Sequence, residues 1–372
     1  MPPGQHWRWV AAITMLADAR TTLPLGKSQS PEVADGAAID DQQKLLAQKL
    51  AAVLQSEMPK ASDVRVSQLV RTSTGLSREN WMFVAEWREH DVMQSRRMLL
   101  RRDPAGSLLV TDREREFQVL RALETTSIPA PPVRWVDSAG IVFGSPSMIM
   151  DVVEGTCDWF VLNGSRPLEQ RLHLAKGFIE LLARIQKVDV QKTGLAQTLG
   201  DPGKNGAATA LGQWEAEFRR VQLEPLPEME VILDWLRQRA PVSAESVLVH
   251  GDFKPGNALL MGDEITAMLD WETAHLGDPL EDLGWITNPA RAREHQIRGI
   301  WEREQIVHAY TEATGRYVDP RELLWWNVFS CWKLSVIILT GMHAFVEGTL
   351  NRIYHTPVWL FQNMFTLMKE AT

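Results

Sequence analysis

Residues Val247–Gly284 read VLVHGDFKPGNALLMGDEITAMLDWETAHLGDPLEDLG, and the reading of the whole chain turns on them. A short apolar run, Val247-Leu248-Val249, leads into His250-Gly251-Asp252, and Asn257 follows five residues later. A second, largely apolar run from Ile265 to Leu269 ends in Asp270. Two β-like segments thus each present polar groups at or near an end, as expected where a rigid scaffold carries a site on its loops. Asp252, Asn257 and Asp270 supply the oxygens that phosphoryl transfer needs. One carboxylate stands near an acceptor hydroxyl, and an amide plus a second carboxylate stand on Mg²⁺.

Composition narrows the field without choosing within it. At 372 residues the chain can bury a large core and form two lobes or domains. It is 45% hydrophobic and 23% charged, ordinary for a globular protein, and its net charge of −8 comes without a basic block. Neither a nucleic acid nor an anionic membrane is therefore indicated as a partner. The two cysteines, Cys157 and Cys331, are far apart and in no metal-like spacing, so a reducing cytoplasm is the expected setting. The opening residues carry an apolar patch broken by Asp18, without a signal-peptide pattern. The most apolar segment, Leu334 to Phe345, is shorter than the ~20 residues a bilayer requires and reads as a buried core helix.

The central stretch resembles the aminoglycoside phosphotransferase family, which is similar to choline kinase and the protein kinases. That family carries H-G-D-x-x-x-x-N, then a short hairpin and an Asp; here HGDFKPGN is followed by LDWE, with thirteen residues from Asn257 to Asp270. A lone HGD would say little, whereas two motifs in the right order at this spacing are specific. The resemblance covers roughly Val64 to Phe345. It implies an α+β, protein-kinase-like bilobal fold with a small β-rich N-lobe and a larger, mostly helical C-lobe. It further implies that Asp252 orients the acceptor hydroxyl and that Asn257 and Asp270 hold Mg²⁺ with the phosphates of ATP. Lys254, two residues after that Asp as in protein kinases, would reach the transferring phosphate; a solvated loop lysine is the plainer alternative. His250 is expected to shape the loop through backbone hydrogen bonds, and the GDP-x-x-D-L segment ending at Asp282 to brace it. The role of Glu272 stays open.

The rest of the chain is expected to complete that site. Residues 1–60 form an extension: Gly26 to Gly36 reads as a linker, and Asp41 to Met58 as a helix packing on the small lobe. The N-lobe spans 61–153 and begins with strands near Val64–Val70 and Asn80–Trp87. Between them Thr72-Ser73-Thr74-Gly75-Leu76-Ser77 is by composition an ordinary turn, but by family position Ser73 and Gly75 would lie over the ATP phosphates. A third strand ends in Arg101-Arg102. The family places a phosphate-contacting cation here, and alternation from Leu99 favours Arg101, with Arg102 as the alternative. Its partner would be Glu116, or Glu114, on the helix from Thr111 to about Thr125. Main-chain atoms near Met150 to Val152 would meet the adenine edge at a hinge.

The C-lobe, 154–372, should hold helices at Pro167–Val188, Thr209–Val221, Pro227–Arg239, Glu302–Thr314 and Pro320 to about Glu347. Trp325, Trp326, Trp332 and Lys333 lie on the last of these, where an aromatic stripe is more often core than cleft. Together these features point to an ATP- and Mg²⁺-dependent phosphotransferase acting on the hydroxyl of a small molecule. The subgroup most similar by motif stands with acyl-CoA dehydrogenases, which suggests a hydroxy acid or hydroxyacyl thioester as acceptor. Rival readings are an aminoglycoside acceptor and a nucleotide-binding pseudokinase serving as an interaction module.

Overall fold

A computed structural model describes residues 36–72, 79–103, 112–243, 245–350 and 353–370. Ser73 and Gly75 lie outside the described residues, as does most of the stretch read as a linker. The chain divides into two compact units, one built from 36–103 and 133–152, the other from 112–132 and 153–370.

The first unit is a five-stranded antiparallel sheet. Its strands are β1 (Ser62–Thr72), β2 (Glu79–Glu89), β3 (Val92–Arg102), β4 (Val133–Asp137) and β5 (Ser147–Asp151), in the order β1-β2-β3-β5-β4. β2 alternates: Phe83, Ala85 and Trp87 are buried while their neighbours are partly exposed. Period-two burial of this kind marks a sheet covered on one face. The cover is helix α1 (Gly36–Glu57), whose Leu46, Leu50, Val53 and Leu54 join Phe83, Met98, Leu100 and Ile149 in one core. The expected packing of this helix on the sheet is found, although it starts earlier than Asp41.

The second unit is mainly helical. Helix α2 (Arg113–Leu123) belongs here, capped by Asp112, which accepts from Arg115 N at 3.0 Å. The helices α3 (Leu168–Gln186), α4 (Leu195–Leu199), α5 (Gly206–Val221) and α6 (Pro227–Gln238) follow. Two small antiparallel ladders come next. One pairs β6 (Val247–Val249) with β9 (His275–Gly277); the other is a hairpin of β7 (Ala258–Met261) and β8 (Glu264–Met268). Beyond them lie α7 (Leu280–Ile286), α8 (Ala292–His295), α9 (Arg303–Thr314), α10 (Pro320–Val346) and α11 (Val358–Glu370).

α10 is 27 residues long, and among the described residues it alone is long and apolar enough to cross a membrane. However, 83% of its most apolar stretch is buried within the protein, so it is a core helix, as expected, and longer than its most apolar segment suggested. Trp325, Trp326 and Trp332 are all buried, and the indoles of Trp325 and Trp332 donate to the carbonyls of Leu236 and Met229 on α6. The aromatic stripe is therefore core.

Candidate active site

β6 is apolar and wholly buried, so it anchors the turn that follows it. Its register against β9 pairs Val249 with His275 and leaves His250-Gly251-Asp252 at the strand end. The Asp282 carboxylate on α7 accepts both successive amides, His250 N at 2.8 Å and Gly251 N at 2.9 Å. Two donors grip the carbonyls of the same two residues. The Thr273 hydroxyl donates to His250 O at 2.7 Å and the Lys333 ammonium to Gly251 O at 2.7 Å. Gly251 has φ +83°, and a Cβ there would lie 2.8 Å from the Thr273 carbonyl oxygen, so only glycine fits.

His250 is fully buried and serves the loop. Asp252 N donates to its Nδ1 at 3.2 Å, which leaves Nε2 to donate to Leu269 O at 2.9 Å. Burial lowers its pKa, with the surrounding carboxylates opposing, so the ring is neutral at neutral pH. Its ring packs on Trp271 at 4.7 Å.

Three of the expected site residues meet within one turn. The Lys254 ammonium donates to Asp252 Oδ2 at 2.5 Å, and Asn257 Nδ2 donates to the same oxygen at 2.9 Å and to Asp252 O at 3.0 Å. Asp252 Oδ1 is buried and has no hydrogen-bond partner among the described residues. Buried carboxylate oxygens are rarely left so, and one next to a fully committed oxygen is poised for an incoming donor or cation. The 3-10 turn Pro255–Asn257 closes with Asn257 N donating to Lys254 O at 3.0 Å. Leu269 N then donates to Asn257 O at 2.7 Å, so the β7–β8 hairpin returns the chain with Asp270 next to Asn257.

Asp270 takes the left-handed conformation, φ 58° and ψ 54°, which costs a non-glycine residue about 1–2 kcal/mol. Loss of hydration and the Asp270 charge push the nearby Cys157 thiol up to about 11. The set of side chains that would hold the metal is all oxygen: the Asn257 amide oxygen and the Asp270 carboxylate. An all-oxygen set fits Mg²⁺, which takes one or two protein oxygens and completes its shell with phosphate and water.

The remaining expected residues are placed as follows. Arg102 is committed to Glu79 through Nε at 2.9 Å and to Phe143 O through Nη1 at 3.2 Å, on the sheet face that α1 covers. Arg101 alternates to the opposite face with Leu99. Glu116 is 1% exposed and accepts from Arg113 at 2.6 Å, a partner within its own helix that spacing alone did not single out. Met150 sits in β5 opposite Leu99, and the Val152 amide donates to Arg97 O at 3.0 Å. The amide of Val152 is thus engaged by the sheet.

Residues 76–325 match the family model described as the phosphotransferase enzyme family. The chain belongs to that family. Its relatives include acyl-CoA dehydrogenase family member 11 of Rattus norvegicus, 30% identical over 276 residues, which is 69% of this chain and 34% of that protein. Family member 10 of Mus musculus is 30% identical over 200 residues, 52% of this chain and 18% of the relative. The match thus spans about a third or less of those proteins' lengths. Among solved structures, a candidate aminoglycoside phosphotransferase from Ralstonia eutropha superposes with a TM-score of 0.67 at 21% identity, covering 87% of this chain and 96% of the other. Aminoglycoside phosphotransferase APH(4)-Ia, solved with ADP and hygromycin B, superposes at 0.55 and 16% identity over 87% of this chain and 99% of its own. At such identities the likeness establishes the kinase-like phosphotransferase fold.

Sequence reasoning missed two residues that hold this site. Lys333, eighty-two positions from Gly251, was taken only as part of a helix wall. Arg115 on α2 is buried and donates to Ala274 O at 3.2 Å, between Thr273 and His275. Burial lowers its pKa to about 10. No local signal marks either residue, because each is defined by a carbonyl distant in the chain.

Proposed function

We propose that this enzyme transfers the γ-phosphoryl group of ATP, with Mg²⁺, to a hydroxyl of a small molecule, a hydroxy acid or a hydroxyacyl thioester. The observation that carries the reading is the Asp252 carboxylate, buried, held by Lys254 and Asn257 through one oxygen and uncommitted at the other. An acceptor hydroxyl donating to Oδ1 would be oriented by a group that cannot itself turn, and positioning matters more than basicity in a loose transition state. Asp252 accepts the hydroxyl proton as the bond to phosphorus forms. Lys254 places a positive charge beside the transferring group, and Asn257 and Asp270 would hold Mg²⁺. When bound, the metal neutralises charge on the phosphate oxygens. Arg101 is assigned to the phosphates by its place in the family pattern. ATP as donor is supported by the ADP-bound relative, and an acyl acceptor by the acyl-CoA dehydrogenase relatives.

The test is ADP release from Mg-ATP across hydroxy acids, hydroxyacyl-CoA esters, amino alcohols and aminoglycosides, with Asp252→Ala alongside. The expected result is turnover with a hydroxy acid or hydroxyacyl-CoA. In Asp252→Ala, kcat should fall about 10²–10⁴-fold while ADP binding is retained. Turnover with aminoglycosides alone would overturn the acceptor assignment. Nucleotide binding without turnover would overturn transfer itself and favour a pseudokinase.

A further inference from the structure

We infer that Trp159 is a positioning residue for phosphoryl transfer, acting through Lys254. The inference rests on the role proposed above for Lys254 and adds what holds that lysine in place. Lys254 is buried, its backbone extended, and its ammonium has two neighbours of opposite kinds. The Asp252 carboxylate accepts from it at 2.5 Å, and the Trp159 ring lies 4.4 Å from it by centroid. An ammonium stripped of water gains from an aromatic face, and the ring denies it the room to swing away. A second carboxylate is near enough for that to matter. Buried Glu294, paired with Arg291 at 2.6 Å, feels the charges of both Lys254 and Asp252. The other titratable neighbour, His295, is kept neutral by burial and by Arg291 and Lys254. The ring and the Asp252 carboxylate thus hold the ammonium between them.

The position of the indole is itself built. Gly256, in the turn between Lys254 and Asn257, lies so close under the ring that a Cβ there would stand 2.5 Å from Trp159 Cε2 and 2.6 Å from Cδ2. Gly256 is not among the residues with positive φ, so its backbone would accept alanine; space beneath the indole requires the glycine. The segment bearing Trp159 is fastened on both sides. Thr156 and Leu260 exchange hydrogen bonds of 3.0 Å in both directions, and the Thr266 hydroxyl donates to Glu154 O at 2.7 Å. Downstream, Asn163 Nδ2 donates to the carbonyls of Arg293 at 2.8 Å and Gln296 at 2.6 Å. A side chain seated this firmly against the loop that carries Asp252 and Asn257 is a fixed wall of the site.

The experiment is a double-mutant cycle in the full chain, with Trp159→Leu, Trp159→Phe, Gly256→Ala and Lys254→Met. Two assays are read: transfer to 3-hydroxybutyryl-CoA, and slow hydrolysis of Mg-ATP with water as acceptor. Trp159→Leu should lower kcat about tenfold, the rate equivalent of a desolvated cation–π contact, with the KM for Mg-ATP nearly unchanged. Trp159→Phe should retain most of kcat, and Gly256→Ala should repeat the Trp159→Leu loss by displacing the ring. In the Lys254→Met background neither substitution should lower kcat further. Full activity of Trp159→Leu, or an equal loss with and without Lys254, overturns the inference. Full activity of Lys254→Met instead overturns the role of Lys254, so the two failures are distinct. If Trp159→Leu does not fold, Gly256→Ala and Trp159→Phe give the same decision.

Discussion

At the scale of single residues, the loop between β6 and β7 contains little that could be exchanged. Its glycines are set by different constraints: Gly251 by its positive φ and the Thr273 carbonyl, Gly256 by the Trp159 ring. Gly251→Ala adds a Cβ where φ is +83° and an oxygen stands 2.8 Å away. The expected cost is about 1–3 kcal/mol of stability, read as a lower urea midpoint, together with a drop in kcat because Asp252 must move. An unchanged midpoint would show that the loop relaxes around the methyl. Much of this loop was legible in the linear chain, since Asp252, Asn257 and Asp270 stand at spacings that only a turn and a hairpin can close. The use of each oxygen was not. Lys254 and Asn257 both converge on Oδ2, and that choice depends on rotamers set by Trp159 and the buried surroundings.

At the scale of elements, β9, α7 and α10 meet at a buried charge cluster beneath that loop. His275 Nε2 lies 3.0 Å from Glu281 Oε2, and Lys333 lies 3.8 Å from the other oxygen, flanked by the rings of Trp214 and Trp285. Burial works against a charged His275, but the charge and hydrogen bond of Glu281 outweigh it and raise the pKa, with Lys333 opposing. A histidine whose folded-state pKa exceeds its ordinary value contributes stability below that ordinary value. The contribution is lost as pH rises through the raised one. Glu281, burial notwithstanding, is held low by His275 and Lys333, so its share is present above the ordinary carboxylate range and is lost in acid. The difference in urea midpoint between the wild type and His275→Gln should therefore be largest below the ordinary histidine value of about 6.5 and narrow as pH rises through the raised one. A difference that widens in alkali would contradict the pairing. Nothing in the spacing of His275 foretold this, because its partner is recruited by the turn into α7.

At the scale of the whole molecule, the family match begins at residue 76, yet the sheet unit draws much of its core from upstream. Leu50 on α1 is fully buried among Phe83, Met98, Leu100 and other core residues of the sheet. Leu50→Ala should cost about 2–5 kcal/mol, seen as a lowered thermal midpoint, and a midpoint within a degree of wild type would show that α1 is dispensable to the sheet. The strands and the long core helix were present in the linear order of residues, while the two-lobed fold and the chemistry class came through the resemblance of the motifs to a known family. Strand alternation, helical periodicity and fixed motif spacing are local properties, and a chain displays them before it folds. Tertiary structure alone decided that Asp282, Thr273 and Lys333 grip one loop, that Arg102 is committed to Glu79, and that one oxygen of Asp252 is left uncommitted. The first two depend on contacts between residues from about twenty to more than eighty positions apart, and the third on side-chain rotamers within one buried turn; all are set by how the elements pack rather than by what each one is.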